Sequence, residues 1–349
     1  MNELISFRGA EIPQSEAEVL MELESLTKKK KKFILVDKIS EAEQRDWTPR
    51  MEFSIKDNKV SGIGLSGCKL KTLPETLTNL SSLQILNLEK NSLSELPDFI
   101  FRLPVLEVLN VSYTSIKTIP TSIENLTSLR ILNIAFTGTL ETIPDSIKNL
   151  KNLKELWIFH AKLKKVPESL SLLDSLEFLA FNEVKTFPKW IGKLKSLREL
   201  HAFQSKFSTI PNSIFDLDFL KALYVWGCKL DSLSESIGKL HSLERLDLSF
   251  NKITHLPNSI CDLKMLKVLN LRNNRLIELP ESIGNLVSIE GLYFNWNNLR
   301  KIPDSIINLT NLKELRVNKK ALKNSSKLVN ALKQKGIKIL KTNEVKVYF

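Results

Sequence analysis

Hydrophobic positions along the chain recur with a fixed spacing, shown most cleanly at Leu266–Ser288, LKVLNLRNNRLIELPESIGNLVS. Counting from Leu266, apolar residues stand at Leu266, Leu269, Leu271, Leu276, Leu279, Ile283 and Leu286, with Asn274 ninth and Pro280 fifteenth. The opening LxxLxL ends in alternate apolar residues, which predicts a short strand with one buried face. The remainder, NxLxxLPxxIxxL, has room for a turn, an extended piece and one or two helical turns, and none for a long helix. Neither half can bury its apolar side alone, so the unit is stable only when stacked on copies of itself.

The first apolar position returns at Val60, Leu83, Leu106, Leu129, Leu153, Leu176, Leu197, Leu220, Leu243, Leu266, Ile289 and Leu312. Every interval is 23 residues except one of 24 and one of 21. This register predicts an α/β solenoid: a right-handed horseshoe with a parallel sheet on its concave side, capped at both ends. Residues 1–57 read as the N-terminal cap, 58–317 as eleven repeats plus the strand of a twelfth, and 318–349 as a C-terminal cap.

Both caps depart from the repeat. Ser15-Glu16-Ala17-Glu18 is a capping-box pattern, and Val19, Leu20, Leu23 and Leu26 follow at helical spacing, so a helix is expected from about Pro13 to Thr27. Five lysines, Lys28–Lys32, then precede Phe33–Val36, which reads as a short strand. The lysine run is either a solvated connector or a contact for nucleic acid or phospholipid. Met51, Phe53 and Ile55 alternate with polar residues up to Asp57-Asn58, predicting a hairpin whose second arm becomes the first strand of the array. At the other end, Asn324–Lys335 reads as a helix capped by Ser325 or Ser326 and ended by Gly336. Ile337–Leu340 and Val345–Phe349 follow as two short strands.

Two irregularities mark the middle of the array. One residue is added near Thr137-Gly138-Thr139, and two are missing after Phe181, around Asn182-Glu183-Val184. The ninth position runs Cys68, Asn91, Thr114, Thr137, Ala161, a gap, Ser205, Cys228, Asn251, Asn274, Asn297, so its centre lacks the Asn side chains that tie neighbouring turns. Either a tolerant solenoid has drifted there, or the centre is shaped around a ligand.

Composition narrows the class. Apolar content of 42% with 26% charged residues is that of a soluble globular protein, and no stretch is apolar enough to read as a signal peptide or membrane span. Cys68, Cys228 and Cys261 are far apart and read as buried, reduced residues, which predicts a cytoplasmic location. The net charge of +12 is uneven: residues 1–57 hold ten Lys/Arg against twelve Asp/Glu, whereas 318–349 hold nine lysines against Glu344 alone. The basic C-terminal cap is either a solubilising end or a contact for an acidic partner or membrane.

Function must then be sought on positions the repeat leaves free. Positions one, four and six of each unit are expected inside, and three, five, seven and eight on the concave face. Small or polar residues fill these places in the early repeats. From the fourth repeat onwards they become Phe136, then Trp157, Phe159 and His160, then Phe178, His201, Phe203, Tyr224, Trp226 and Phe250, with Tyr293 and Trp296 further on. Aromatic residues side by side on a solvated sheet either stiffen it by packing on one another or form a surface for a protein partner. Catalysis finds little support. Of the four histidines only His160 and His201 share this face, with no paired carboxylate or cysteine expected beside them, and no phosphate loop or nucleophile motif is present. No cofactor or metal is expected, and nucleic acid is disfavoured because few arginines are interleaved with the aromatics.

The consensus LxxLxLxxNxLxxLPxxIxxLxx resembles the leucine-rich repeats of Ras-group-related scaffold proteins and of multi-copy bacterial and archaeal leucine-rich repeat proteins. The resemblance covers about three quarters of the chain and implies a non-enzymatic scaffold, in some relatives a partner of small GTPases in signalling. Bacterial relatives that are ubiquitin ligases carry a large separate catalytic domain, and only a short cap follows the repeats here. The expectation is a cytoplasmic module gripping a protein through its aromatic face, anchored by Trp157, Phe159, Phe203, Tyr224 and Trp226. Its alternatives are an electrostatic tether, in which the basic cap binds anionic membrane or nucleic acid, and a purely structural spacer.

Overall fold

The computed structural model describes residues 3–27, 31–39, 50–163 and 165–342, and the chain divides into two compact units, residues 1–180 and 181–349. The first opens with an antiparallel hairpin, β1 (Leu4–Phe7) and β2 (Ala10–Pro13), followed by the helix α1 (Gln14–Ser25). This hairpin was not expected from the pattern. Its turn is Arg8-Gly9, both at positive φ (51° and 88°), the geometry that tight hairpins require. Because β2 runs straight into Pro13, the helix begins before Ser15, so the expected capping box does not form. Instead Gln14 Nε2 donates to Glu18 Oε1 at 2.9 Å.

The short strand β3 (Ile34–Leu35) pairs with β4 (Glu52–Lys56), which forms the expected antiparallel hairpin with β5 (Lys59–Gly64). Asp57 and Asn58 make its turn at φ 50° and 57°. Two buried carboxylates organise this cap, and the first of them ties it to the array. Glu16 accepts the Val60 amide at 2.7 Å, and burial raises its pKa despite that bond. Burial likewise opposes charge on Glu24, but bonds from Lys32, the Phe33 amide and Arg8 together outweigh it and lower its pKa.

From β5 the repeat takes over. β6 (Ile85–Asn87), β7 (Val108–Asn110), β8 (Ile131–Asn133), β9 (Glu155–Trp157) and β10 (Phe178–Asn182) join in parallel, in register one repeat apart. The second unit continues with β11 (Glu199–Phe203), β12 (Ala222–Tyr224), β13 (Arg245–Asp247), β14 (Val268–Asn270), β15 (Gly291–Tyr293) and β16 (Glu314–Asn318), again all parallel. On the opposite side each repeat returns through one 3-10 turn placed after a proline or serine, such as Glu281–Asn285 after Pro280. Leucines at positions one, four and six are fully buried, as at Leu266, Leu269 and Leu271.

The Asn ladder is present where its side chains are. Asn274 Nδ2 donates to Leu248 O of the preceding repeat (2.9 Å) and to Leu271 O of its own, while its Oδ1 accepts the Ile253 amide (3.0 Å). Asn91, Asn251 and Asn297 bond the same way, and Cys228 Sγ keeps a weak link to Ala202 O at 3.4 Å. Thr114 and Thr137 reach only their own turns. The gap in the ladder has a geometric cause: in the shortened repeat Val184 takes the place of the usual eleventh residue, and its amide donates to Ser205 Oγ. Phe181, Phe187 and Phe207 pack edge-on at this shortened repeat, with ring centres 6.0 and 4.9 Å apart.

The C-terminal cap is two helices, α2 (Lys319–Asn324) and α3 (Ser326–Gln334), where one was expected. Ser325 breaks them at φ −121°, ψ 35°, and its hydroxyl accepts the Ile302 amide instead of capping α3. Gly336 ends α3 at φ 79°. β17 (Lys338–Thr342) then pairs in parallel with β16, covering the edge of the array. The strand expected at Val345–Phe349 lies outside the described residues, as do Lys28–Lys30 of the lysine run.

Candidate functional site

Each strand of the array presents positions three and five to its open face, and the chain leaves the strand at position eight with a positive φ in every repeat from Gly67 to Trp296. Gly67 and Gly227 adopt this conformation without cost. Tyr113, Phe136, His160, Phe250 and Trp296 hold the same place with φ between 51° and 59°, where a bulky residue is uncommon. Position seven is less open than the register predicts. Phe203 there is only 8% exposed, which corrects the expectation that it projects into water.

The aromatic residues form a cluster in each unit. In the first, Tyr113 stacks on Phe136 at 4.2 Å and Phe136 on His160 at 4.7 Å, with Phe159 edge-on to Phe136 at 4.9 Å. Trp157 stacks on Phe178 at 4.1 Å, and its indole N–H donates to Glu155 at 3.3 Å. Lys90 lies over Tyr113, 5.4 Å from the ring centre. In the second unit Phe203 and Trp226 are parallel at 5.0 Å, His201 lies 4.3 Å from Tyr224, and His201 Nε2 is 2.6 Å from Glu199. Further along, Arg272 sits between Phe250 and Trp296, and Arg316 lies over Tyr293.

Mutual stacking explains why these rings are half-buried although they stand outside the core. Rings on adjacent strands are near enough for stacked or edge-on contact, each pair adding on the order of 1 kcal/mol beyond its buried area. Phe250 alone among the expected site residues is classed as exposed, at 40%. The stacking does not close the surface, because Phe136, Trp157, Phe159, Phe178, Tyr224, Trp226, Tyr293 and Trp296 all keep partly exposed faces.

The acids that steer these side chains obey a simple rule. Glu155, Glu199 and Glu314 stand at position three and bond Trp157, His201 and Arg316 at position five, two residues on and therefore on the same face. Where position five is Asn or Asp, its side-chain oxygen instead accepts the amide of position seven, as Asp247 does from Ser249 at 2.9 Å. Tyr113, Arg272 and Arg316 were missed in the sequence although they share the register. Tyr113 precedes the aromatic run, and each arginine shows its place only by the rings it rests on. Among the described residues no three His, Cys, Asp or Glu side chains come together as a metal site, and no helix is long and apolar enough to cross a membrane. The arrangement offers apolar rings, hydrogen-bond donors and guanidinium groups, which are means of binding.

Comparison with known proteins agrees with this geometry. The leucine-rich repeat region model matches residues 62–138, 129–209 and 235–344. A leucine-rich repeat protein of Leptospira interrogans is 27% identical, with a TM-score of 0.61 over 79% of this chain and 83% of that one. The structure described as a TDR receptor is 29% identical with a TM-score of 0.64, covering 74% of this chain and 48% of the receptor. An internalin of Listeria monocytogenes shares the fold at 19% identity, TM-score 0.62, over 83% of this chain and 91% of its own. A sequence comparison with curated proteins returns no match. With its repeats matched over most of their length and its strands, Asn ladder and capped ends built as described, the chain belongs to the leucine-rich repeat family.

Proposed function

We propose that this protein is a non-enzymatic interaction module that holds a protein partner on the aromatic open faces of its repeats. The observation that carries this reading is the set of bulky residues kept at the eighth position. Folding alone is served there by glycine, as at Gly67 and Gly227, yet Phe136, His160, Phe250 and Trp296 occupy it with positive φ and partly exposed rings. Such residues concentrate binding energy at interfaces. The likeness to a structure described as a TDR receptor supports a binding role. A small GTPase as that partner, and a role in signalling, extend this reading by resemblance to scaffold proteins. The separated, buried thiols of Cys68, Cys228 and Cys261 support a reducing, cytoplasmic setting.

The test uses the two clusters separately. Wild type, Trp157→Ala and Trp226→Ala are immobilised, captured proteins are identified, and each is remade and titrated in pure form. Loss of binding in either folded variant by tenfold or more supports the reading. Equal binding by all three turns attention to the basic cap, where Lys319, Lys320, Lys323, Lys327 and Lys333 are exposed on α2 and α3. Binding through that cap would fall steeply with salt, which separates the electrostatic tether from the aromatic site.

A further inference from the structure

The second unit carries an arginine with two aromatic partners and no ionic one. The Arg272 guanidinium carbon lies 4.8 Å from the ring centre of Phe250 and 4.2 Å from that of Trp296, so rings from the two flanking repeats clamp it. Its Nε is buried without a hydrogen-bond partner. Among the described residues no carboxylate forms an ion pair with it.

The acid whose charge reaches Arg272 is committed elsewhere. Asp247 Oδ1 accepts the Ser249 amide and hydroxyl at 2.9 and 2.6 Å, and Oδ2 accepts Asn270 Nδ2 at 2.9 Å. Arg316, on the far side of Tyr293, has its own partner in Glu314 at 2.5 Å. Burial, and then the charge of Arg316, lower the pKa of Arg272, and the charge of Asp247 offsets them only in part.

A guanidinium presents its donors in one plane, in a fork that matches a carboxylate. With rings from both flanking repeats against it, the half-buried side chain keeps donors for a ligand on its open side. We propose that Phe250, Arg272 and Trp296, with Tyr293 and Arg316 beside them, form a docking site for an acidic side chain of a partner protein. The carboxylate pairs with Arg272, and the apolar residue next to it in the partner lies on Phe250, the most open ring of the group. Asp247 and Glu314 beside the two arginines offset their charge, which suits a single carboxylate and disfavours the phosphate chain of a nucleic acid. This inference rests on the reading of the open face as a protein-binding surface and adds the chemistry that part of it selects.

The experiment is a selection of random twelve-residue peptides on the immobilised full chain, followed by titration of the enriched peptides and of a twenty-residue oligothymidylate. The expected result is a shared Asp or Glu at fixed spacing from an aromatic or aliphatic residue. Binding should then fall tenfold or more for both Arg272→Ala and Arg272→Gln, the second retaining length and polarity. Changing the acid of the peptide to its amide should cost a similar factor in wild type and little in the variants. Circular dichroism and denaturation midpoints of both variants establish that they fold. Enriched peptides without an acid that depend on Trp226 would overturn the carboxylate site while leaving the aromatic surface standing. No enrichment, or binding indifferent to Arg272, Trp157 and Trp226, overturns both. Oligothymidylate bound through Arg272 in preference to the peptides also overturns the assignment.

Discussion

At the scale of single residues, the ninth position shows what one side chain can do for a repeat. Asn274 satisfies a carbonyl of the preceding turn, a carbonyl of its own and the Ile253 amide, all buried. Replacing it with Ala strands these groups at about 1–3 kcal/mol. Asn274→Ala is therefore expected to lower stability by about 3 kcal/mol in a denaturant titration, and Thr114→Ala, which loses one bond within its own turn, by about 1 kcal/mol. The cysteines at that position give a second prediction. Burial pushes the thiols of Cys68 and Cys228 up to about 11, so both should resist alkylation at pH 8 in the native protein and react once it is unfolded. The unfolded thiol loses its proton near 9 while the native one keeps it. The stability they contribute is thus present below that pH and lost as pH rises through about 11. Melting measured across this range in wild type and Cys228→Ser checks the direction.

The elements are as short as the repeat allows, and their packing is correspondingly tight. The 3-10 turns stack on one another so closely that a Cβ on Gly284 would come within 2.8 Å of the Ser305 carbonyl carbon and nearer still to its oxygen. Gly192 and Gly238 face Ser213 and Ser259 in the same way. Here backbone meets backbone, so no side chain can swing aside. Gly284→Ala is expected to cost about 1–3 kcal/mol, although the residue lies outside every strand. Thermal denaturation of that variant tests it, and a cost near zero would mean the turns can slide apart. The flank of the sheet is more forgiving. Charges of both signs stand at the second position and pair between repeats, as in Lys154–Glu177 at 2.9 Å and Lys267–Glu244 at 2.8 Å, but exposed pairs of this kind contribute at most about 1 kcal/mol each.

Taken as a whole molecule, a stack of identical units has two ends to protect. Within the first unit that task falls to α1 and two hairpins, and Glu16 and Glu24 are spent as buried anchors. Within the second, β17 covers β16 along five paired residues, and Asn324 and Ser325 bond back to Arg300 and Ile302. A chain ending at Asn318 would leave the backbone edge of β16 unpaired, a template for association with another chain. It should elute as higher-order species in size-exclusion chromatography under conditions where the full chain does not. A monodisperse truncated chain would show that the cap serves something other than closure, and would favour its lysines as a contact.

Spacing alone determined the repeat, its strand positions, the leucines of the core and the hairpin at Asp57-Asn58, because period and turn chemistry are local properties that stacking repeats without change. The side of the sheet from which each aromatic residue projects was legible too, since register assigns it. What only the tertiary structure decided is how the side chains of neighbouring repeats meet. The Arg8-Gly9 hairpin was hidden because its strands are four residues long and pair outside the array. The burial of Phe203 and the clamp on Arg272 were hidden because each depends on rings from other repeats, at distances no single unit encodes. A repeated pattern states where each side chain leaves the backbone; which neighbour it then rests against is a property of the assembled stack.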